Sequence, residues 1–211
     1  MDMNGETKST QDTFLQRETA RKWAESAHIV IPARAELFAE FSKQINRRYS
    51  EAMTILELGS GPGLLAEHVF SHCKVKHYTL LDFSEAMKQI AFERLIAYQN
   101  SATFVQADLH DHAWADQFNM LDVVLTLQTV HELMDKRKAK PLFRQVFSTL
   151  RDGGYFYYCD LYYDTNYLGN DPALYLTQAK QKAALEHAGF NEVELLLSIQ
   201  GMSMYQARKN P

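Results

Sequence analysis

From residue 51 onward, short runs that are apolar almost throughout alternate with stretches of helical spacing. The runs are "MTILEL" (53–58), "HYTLLD" (77–82), "TFVQAD" (103–108), "LDVVLTL" (121–127) and "YFYYCDL" (155–161). Strands without a polar face must be covered on both sides, which calls for a parallel sheet with helices on each face. The helices between them are signalled by Pro62, by Ser84 as cap of "EAMKQIAFERLIAY", and by Asp135 as cap of "KRKAKPLFRQVFSTL", which "RDGG" is expected to end. Near the C-terminus the rhythm breaks. A helix over 172–188, stopped by Gly189, leads into "NEVELLLSI" and "MSMYQAR", with only Gln200 and Gly201 between them. Two strands so close in sequence form an antiparallel hairpin. The fold class is therefore α/β, with one reversed strand expected near the C-terminal edge of the sheet.

With 211 residues and 46% hydrophobic content, the chain suits one well-buried domain. Residues 1–11 are polar and expected to be a flexible N-terminus, leaving 12–211 as a single domain divided into N-terminal helices (12–50) and the sheet core (51–211). In "DTFLQRETARKWAESA" the residues Leu15, Ala20, Trp23, Ala24 and Ala27 share one broad face; a second helix, with Pro32 at its first position, carries the stripe Leu37, Phe38, Phe41 and Ile45. A net charge of -4 disfavours nucleic acid as a partner. No apolar stretch approaches the roughly 20 residues of a membrane span, and the N-terminus lacks the regions of a signal peptide. The two cysteines, Cys73 and Cys159, sit in no activating motif and read as reduced core residues. A cytoplasmic protein is expected.

In an open parallel sheet, ligands bind beyond the carboxyl ends of the strands, so the strand ends are the places to search. The first end is "ELGSGPG", with Glu57 ahead of Gly59, Ser60, Gly61 and Gly63. A dinucleotide fingerprint would space its glycines G-x-G-x-x-G and hold pyrophosphate on backbone N–H groups. Here the third glycine comes one residue early, Leu64 stands in its place, and Glu57 would set negative charge against phosphate. S-adenosylmethionine suits the acid better, since it offers a sulfonium, an ammonium and ribose hydroxyls without phosphate. Asp82 at the second strand end can accept from both ribose hydroxyls. Asp108 at the third can accept from the adenine amino group, while Phe83 and Leu109 sandwich the ring. The ordinary alternatives are that Asp82 supports the Ser84 cap and that Asp108 belongs to the polar loop "DLHDHAWAD".

Taken in order, "ILELGSGPG", "LLDFS", "VQADL" and "LRDGG" before an aromatic strand resemble the class I S-adenosylmethionine-dependent methyltransferases, and "VHELMDKRKA" resembles a group of small stand-alone members. The resemblance covers about residues 50–208. It implies a Rossmann-like, doubly wound sheet of seven mostly parallel strands, helices on both faces and the last strand inserted antiparallel. It also places "TLQTVHEL" near the transferring methyl group, which makes His131 the candidate base and Gln128 a cofactor contact. His131 has an alternative role as a hydrogen-bonding residue of the strand-to-helix junction. Glu132 has three: orienting His131, binding a cationic acceptor, or facing solvent. The family's N-terminal helices cap the acceptor pocket, so Trp23, His28 and Arg34 become pocket candidates, with core packing the alternative for Trp23. Tyr162, Tyr163 and Tyr167 line an aromatic acceptor site or cover the sheet edge.

His110 and His112, alternating with Asp108 and Asp111 in one loop, do not suffice for a metal shell, and no metal is expected. The chain lacks Asn-Pro-Pro-Tyr or Asp-Pro-Pro-Tyr after the fourth strand, which turns the expectation from nucleobases to a small-molecule acceptor. Two readings compete with methyl transfer to an oxygen, nitrogen or carbon: a module that binds the cofactor without turnover, and an NAD-dependent oxidoreductase. The sequence leaves the acceptor, the methylated atom and the oligomeric state open.

Overall fold

The structure, a computed structural model, describes residues 15–30, 33–165 and 171–211, the side chains of 27–30 excepted. Two helices, α1 (Arg17–Val30) and α2 (Arg34–Arg48), precede the sheet. Then come β1 (Met53–Leu58), α3 (Leu64–His72), β2 (Val75–Asp82), α4 (Glu85–Arg94), β3 (Ala102–Gln106), β4 (Leu121–Leu127), α5 (Ala139–Thr149) and β5 (Leu150–Leu161). The chain closes with α6 (Gln178–His187), β6 (Asn191–Ile199) and β7 (Met202–Arg208).

The seven strands form one sheet in the order β3-β2-β1-β4-β5-β7-β6. All neighbours pair in parallel except β7, which runs antiparallel to both β5 and β6. The expected reversed strand is thus one strand in from the edge. Strand order reverses beside β1, between β2 and β4, so a crevice opens beyond the carboxyl ends of these strands.

Side-chain alternation divides the core in two. Ile55, Tyr78, Leu80, Val123, Leu125 and Tyr157 face α2 and α3, where Leu37, Phe38, Phe41 and Ile45 cover them as the apolar stripe requires. Leu56, Leu58, Leu81, Val124, Phe156 and Tyr158 face the other way, against Leu142, Phe143 and Val146 of α5 and Leu185 of α6. Burying one such side chain is worth about 1.5–3 kcal/mol, so both layers are needed to hold the sheet. Glu57 keeps the parity of Ile55, and Asp82 that of Tyr78 and Leu80, so both carboxylates belong to the α2–α3 face. Among the described residues no helix is long and apolar enough to cross a membrane.

Several boundaries differ from those the sequence suggests. Leu15 is 57% exposed, because α1 packs through Ala20 and Ala24 onto Ala86, Met87 and Ile90 of α4 and leaves its first turn in solvent. Pro32 lies outside the described residues. The helix expected from Pro172 starts instead at Gln178, because the Thr177 hydroxyl takes the cap by accepting from Lys180 N–H. "RDGG" does not end α5 by a glycine cap: β5 begins already at Leu150, where the Arg151 guanidinium pairs with Asp122 at 2.6 Å and Gly153 and Gly154 exchange hydrogen bonds with Lys209. Asp135 caps a short 3-10 turn, Lys136–Lys138, that leads into α5. β3 stops at Gln106, which puts Asp108 in the loop.

Gly59 and Gly61 both have left-handed backbones, with φ of 64 and 52. A Cβ on Gly59 would overlap the Thr129 side chain at Cγ2, whereas one on Gly61 would meet nothing within 4 Å. Both alanine variants incur about 1–2 kcal/mol for the left-handed conformation, but only Gly59→Ala adds overlap with the β4 loop. Chemical denaturation should find Gly59→Ala the less stable by at least about 1 kcal/mol, and equal losses would refute the contact.

Candidate active site

A cavity of about 430 Å³ opens beyond the carboxyl ends of β1, β2 and β4, within the roughly 300–1,000 Å³ of small-molecule sites. One wall is the loop after β1 (Glu57, Gly59, Ser60 and Gly61) together with Asp82 and Phe83. A second comprises Asp108, Leu109, His110, Gln128, Thr129, His131 and Glu132; a third is formed by Trp23, Arg34 and Phe38 from the N-terminal helices. Gly63 stands behind the loop, at the N-cap of α3. The structure therefore gathers nearly all the candidate residues around one space. Tyr162 and Tyr163 are not brought there. Tyr162 is absent from the lining: its side chain is buried and its N–H donates to Gly201 O, because the chain leaving β5 is drawn against the β6–β7 turn. The His28 side chain and Tyr167 lie outside what the structure describes, and Tyr163 donates its N–H to Leu176 O.

The loop after β1 spends its own donors internally. Ser60 N–H donates to Leu81 O at 3.1 Å, Gly63 N–H to Ser60 O at 3.1 Å, and Gly61 N–H to the Asp82 carboxylate at 2.8 Å. Pro62 has no N–H. A pyrophosphate would find no N–H of residues 60–63 unengaged and two carboxylates close by. Asp82 also accepts from Ser84 N–H at 2.9 Å, so its supporting role at the cap and its place in the cavity wall coexist. Burial raises its pKa, and the N–H groups of Ser84, Gly61 and Phe83 hold part of that rise back.

Glu57 is 3% exposed, and its Oε2 accepts from the Tyr78 hydroxyl at 2.7 Å. Burial pushes its pKa up to about 8 against the help of Tyr78, with Asp82 adding to the rise. A carboxyl group lifted so far toward neutrality, on a cavity wall, suits a cationic ligand that restores its charge. Asp108 is mostly exposed; burial is the largest single influence and raises its pKa, but His110, donating both its backbone N–H at 2.8 Å and its ring Nδ1–H at 2.7 Å to Oδ1, together with Lys138 outweighs it and leaves the pKa lowered. That turn makes Asp108 a loop-forming residue as well as a wall residue.

His131 sits on a 3-10 turn, Val130–Leu133, between two carboxylates. Nδ1 lies 2.6 Å from Asp160 Oδ1, and Nε2 3.2 Å from Glu132 Oε1. Burial lowers its pKa, yet Asp160 and Glu132 overcome that and carry it to about 10. Asp160, 1% exposed at the end of β5, also accepts from the N–H groups of Val130 (2.7 Å), His131 (3.1 Å) and Leu161 (2.7 Å). Beside it, Gln128 takes a left-handed backbone, φ 55, held by its N–H on Cys159 O at 2.9 Å. The Tyr175 ring lies 5.8 Å from that of His131.

Asp160 escaped the sequence reading, although the strand-end rule that singled out Asp82 also points to the carboxylate closing "YFYYCDL". Gln200 and Met202 escaped it too. They reach the cavity because β7 inserts beside β5, and no local pattern signals that.

This arrangement, a doubly wound sheet with β7 reversed and a ligand cavity at the β1 switch point, is the class I methyltransferase fold. Residues 55–154 match the family described as a methyltransferase domain. The malonyl-[acyl-carrier protein] O-methyltransferase of Brevibacillus brevis is 23% identical over 159 residues, 69% of this chain and 57% of that protein. The chain thus spans little more than half the length of that curated relative. An O-methyltransferase family protein from Burkholderia thailandensis superposes with a TM-score of 0.77 at 15% identity, covering 96% of this chain and 63% of that one. Human N-acetylserotonin methyltransferase, in complex with S-adenosylmethionine, gives 0.67 at 15% identity over 97% and 60%.

Glutamine at position 57 would keep an acceptor for Tyr78 while removing the titration. Folded Glu57 holds its proton up to about pH 8, and the unfolded group, at its ordinary value of 4.5, releases it earlier. Wild-type stability therefore falls from pH 4.5 to about 8 by this group's contribution, which Glu57→Gln removes. Thermal melts of both proteins should coincide at pH 4.5 and favour the variant at pH 8. The expected difference is at least the roughly 2–4 °C that each kcal/mol gives in a chain of this size. A variant less stable at pH 8 would show Glu57 to be fully ionised in the unliganded fold.

Proposed function

We propose that this protein transfers the methyl group of S-adenosylmethionine to a small-molecule acceptor. The observation that carries the reading is the β1 end of the cavity: the N–H groups of residues 60–63 in the loop after β1 are engaged within the protein, and two carboxylates, Glu57 of β1 and Asp82 at the end of β2, line the cavity beside it. That wall suits a cation bearing hydroxyls and repels phosphate. Glu57 with Gly59, Ser60 and Gly61 holds the methionine end, Asp82 accepts from the ribose hydroxyls, Asp108 accepts from the adenine amino group, and Phe83 and Leu109 flank the ring. Gln128 offers its backbone beside them. When bound, the cofactor supplies an electrophilic methyl carbon on a sulfonium.

The chain's own work is to align an acceptor, exclude water and take a proton where the acceptor carries one. His131 is the proposed proton acceptor, at Nε2, with Nδ1 fixed by Asp160. At rest it is a cation between two carboxylates and has no lone pair to offer. It sheds its proton more easily once a further positive charge, beyond its own and that of Arg34, shares the cavity or an acceptor draws Glu132 away. Trp23 and Arg34 form the acceptor side, and Glu132 orients His131. Oxygen is the favoured acceptor atom, supported by the O-methyltransferases among the relatives, one of which acts on a malonyl group carried by a protein.

Calorimetric titration with S-adenosylhomocysteine and, separately, NAD tests the cofactor. Binding of the first alone, with affinity rising tenfold per pH unit below about 8 as Glu57 gives up its proton, is the expected result. Binding of NAD alone would end the methyl-transfer reading; cofactor binding with no methylated product from any acceptor would favour a module without turnover. With a working acceptor, turnover should rise with pH and inflect between the ordinary histidine value of 6.5 and about 10. Asp160→Asn should move the inflection downward by removing the charge that raises it, and His131→Ala should abolish it. An unchanged profile in His131→Ala would remove His131 as the base.

A further inference from the structure

We infer that Arg34 is the carboxylate receptor of this cavity, its guanidinium taking the carboxylate of a bound ligand. The methyl-transfer reading enters only in naming which ligand. Arg34 opens α2, is 5% exposed, and lines the cavity. Its guanidinium lies 5.6 Å from the Trp23 ring and 6.0 Å from that of Phe38. Among the described residues its buried Nε has no hydrogen-bond partner and no carboxylate pairs with the guanidinium. The other charged groups of the cavity are matched: Glu57 with Tyr78, Asp82 with two N–H groups, Asp108 with His110, His131 with Asp160 and Glu132.

Burying an unpaired guanidinium is costly, and contact with two aromatic rings returns only about 0.5–2 kcal/mol. Burial alone lowers its pKa, with no partner opposing the shift. A methionine would fill the same space without that penalty, so the charge serves something outside the fold. The planar fork of donors fits a carboxylate in bidentate fashion and lies against the Trp23 and Phe38 rings. Two sources share that chemistry: the amino acid carboxylate of the cofactor and an acid group on the acceptor.

Calorimetry on the full chain, wild type against Arg34→Lys and Arg34→Met, separates them. The first probe pair is S-adenosylhomocysteine and S-adenosyl-3-thiopropylamine, which differ by the carboxylate. The second is benzoate and benzamide, titrated into protein saturated with S-adenosylhomocysteine. If the cofactor is the source, wild type prefers S-adenosylhomocysteine at least tenfold, Arg34→Met abolishes the preference and Arg34→Lys keeps part of it. If the acceptor is the source, the first ratio is indifferent to Arg34, while the preference for benzoate is lost in Arg34→Met. Either pattern supports the proposal, and Arg34→Met melting no lower than wild type would add that the charge is not structural. Both ratios unchanged in Arg34→Met, or in Arg34→Gln should the methionine variant fail to fold, would overturn it. Wild type that binds neither adenosyl compound refutes methyl transfer instead, and benzoate against benzamide on the free protein then still tests Arg34.

Discussion

The hydrogen bond from Gly61 N–H to the Asp82 carboxylate, 2.8 Å long, joins the two strand ends on which the site depends. It fixes the loop after β1 against the end of β2, and Ser60 N–H on Leu81 O repeats the tie one residue earlier. With the loop so held, Gly59 is left close to Thr129 of the β4 loop, and Gly61 presents its bare α-carbon to the cavity. Asp160 plays the matching part across the sheet, where its carboxylate collects three N–H groups and the His131 ring. The cavity is thus framed by two carboxylates that each hold a loop in place. Their hydrogen bonds repay part of the cost of burying them, which a bare carboxylate would impose in full.

The strand-end carboxylates belong to the geometry of a parallel sheet. Every parallel strand delivers its last residues to one edge, and Glu57, Asp82, Asp108 and Asp160 all arrive there. Glu57 is the costly one. It occupies a core-facing position on β1 with Tyr78 as its hydrogen-bond donor, and its pKa of about 8 measures how poorly the fold alone stabilises its charge. A residue that weakens the empty fold above pH 4.5 and gains from a cation fits the ligand-binding role proposed for it. Arg34, which comes from the N-terminal helices, carries the same logic with the opposite sign. The cavity lining therefore holds both carboxylates and a guanidinium.

Much of this is legible in the sequence because it is local. Apolar runs without a polar face mark β1, β2 and β4 nearly to the residue, and Ser84 caps α4 as its spacing suggests. That Glu57, Gly59 and Gly61 would lie at the cavity can be read from one strand-turn-helix segment. What escapes depends on distant chain. The start of β5 at Leu150 rests on Arg151 meeting Asp122 and on Lys209 returning along β7, partners 29 or more residues away. Gln200 and Met202 enter the cavity only because β7 inserts between β5 and β6. The charge state of His131 likewise cannot be read from "TVHEL", since it is set by Asp160 across the strand gap.

His131 illustrates how surroundings decide chemistry. A histidine at a strand end, taken alone, titrates near 6.5 and makes a serviceable base at neutral pH. Set between Asp160 and Glu132 it is a cation to about pH 10, and its first service is to neutralise two carboxylates beside a cavity that already holds Glu57 and Asp82. A third positive charge entering the cavity loosens that proton, because like charges raise each other's energy where water is scarce. Ligand binding and proton release are therefore coupled at both ends of the site: at Glu57, which a cation ionises, and at His131, which a cation deprotonates. Both effects release protons, so on the proposed reading binding of a cationic cofactor should grow stronger with rising pH up to about 8 through Glu57 and on toward 10 through His131.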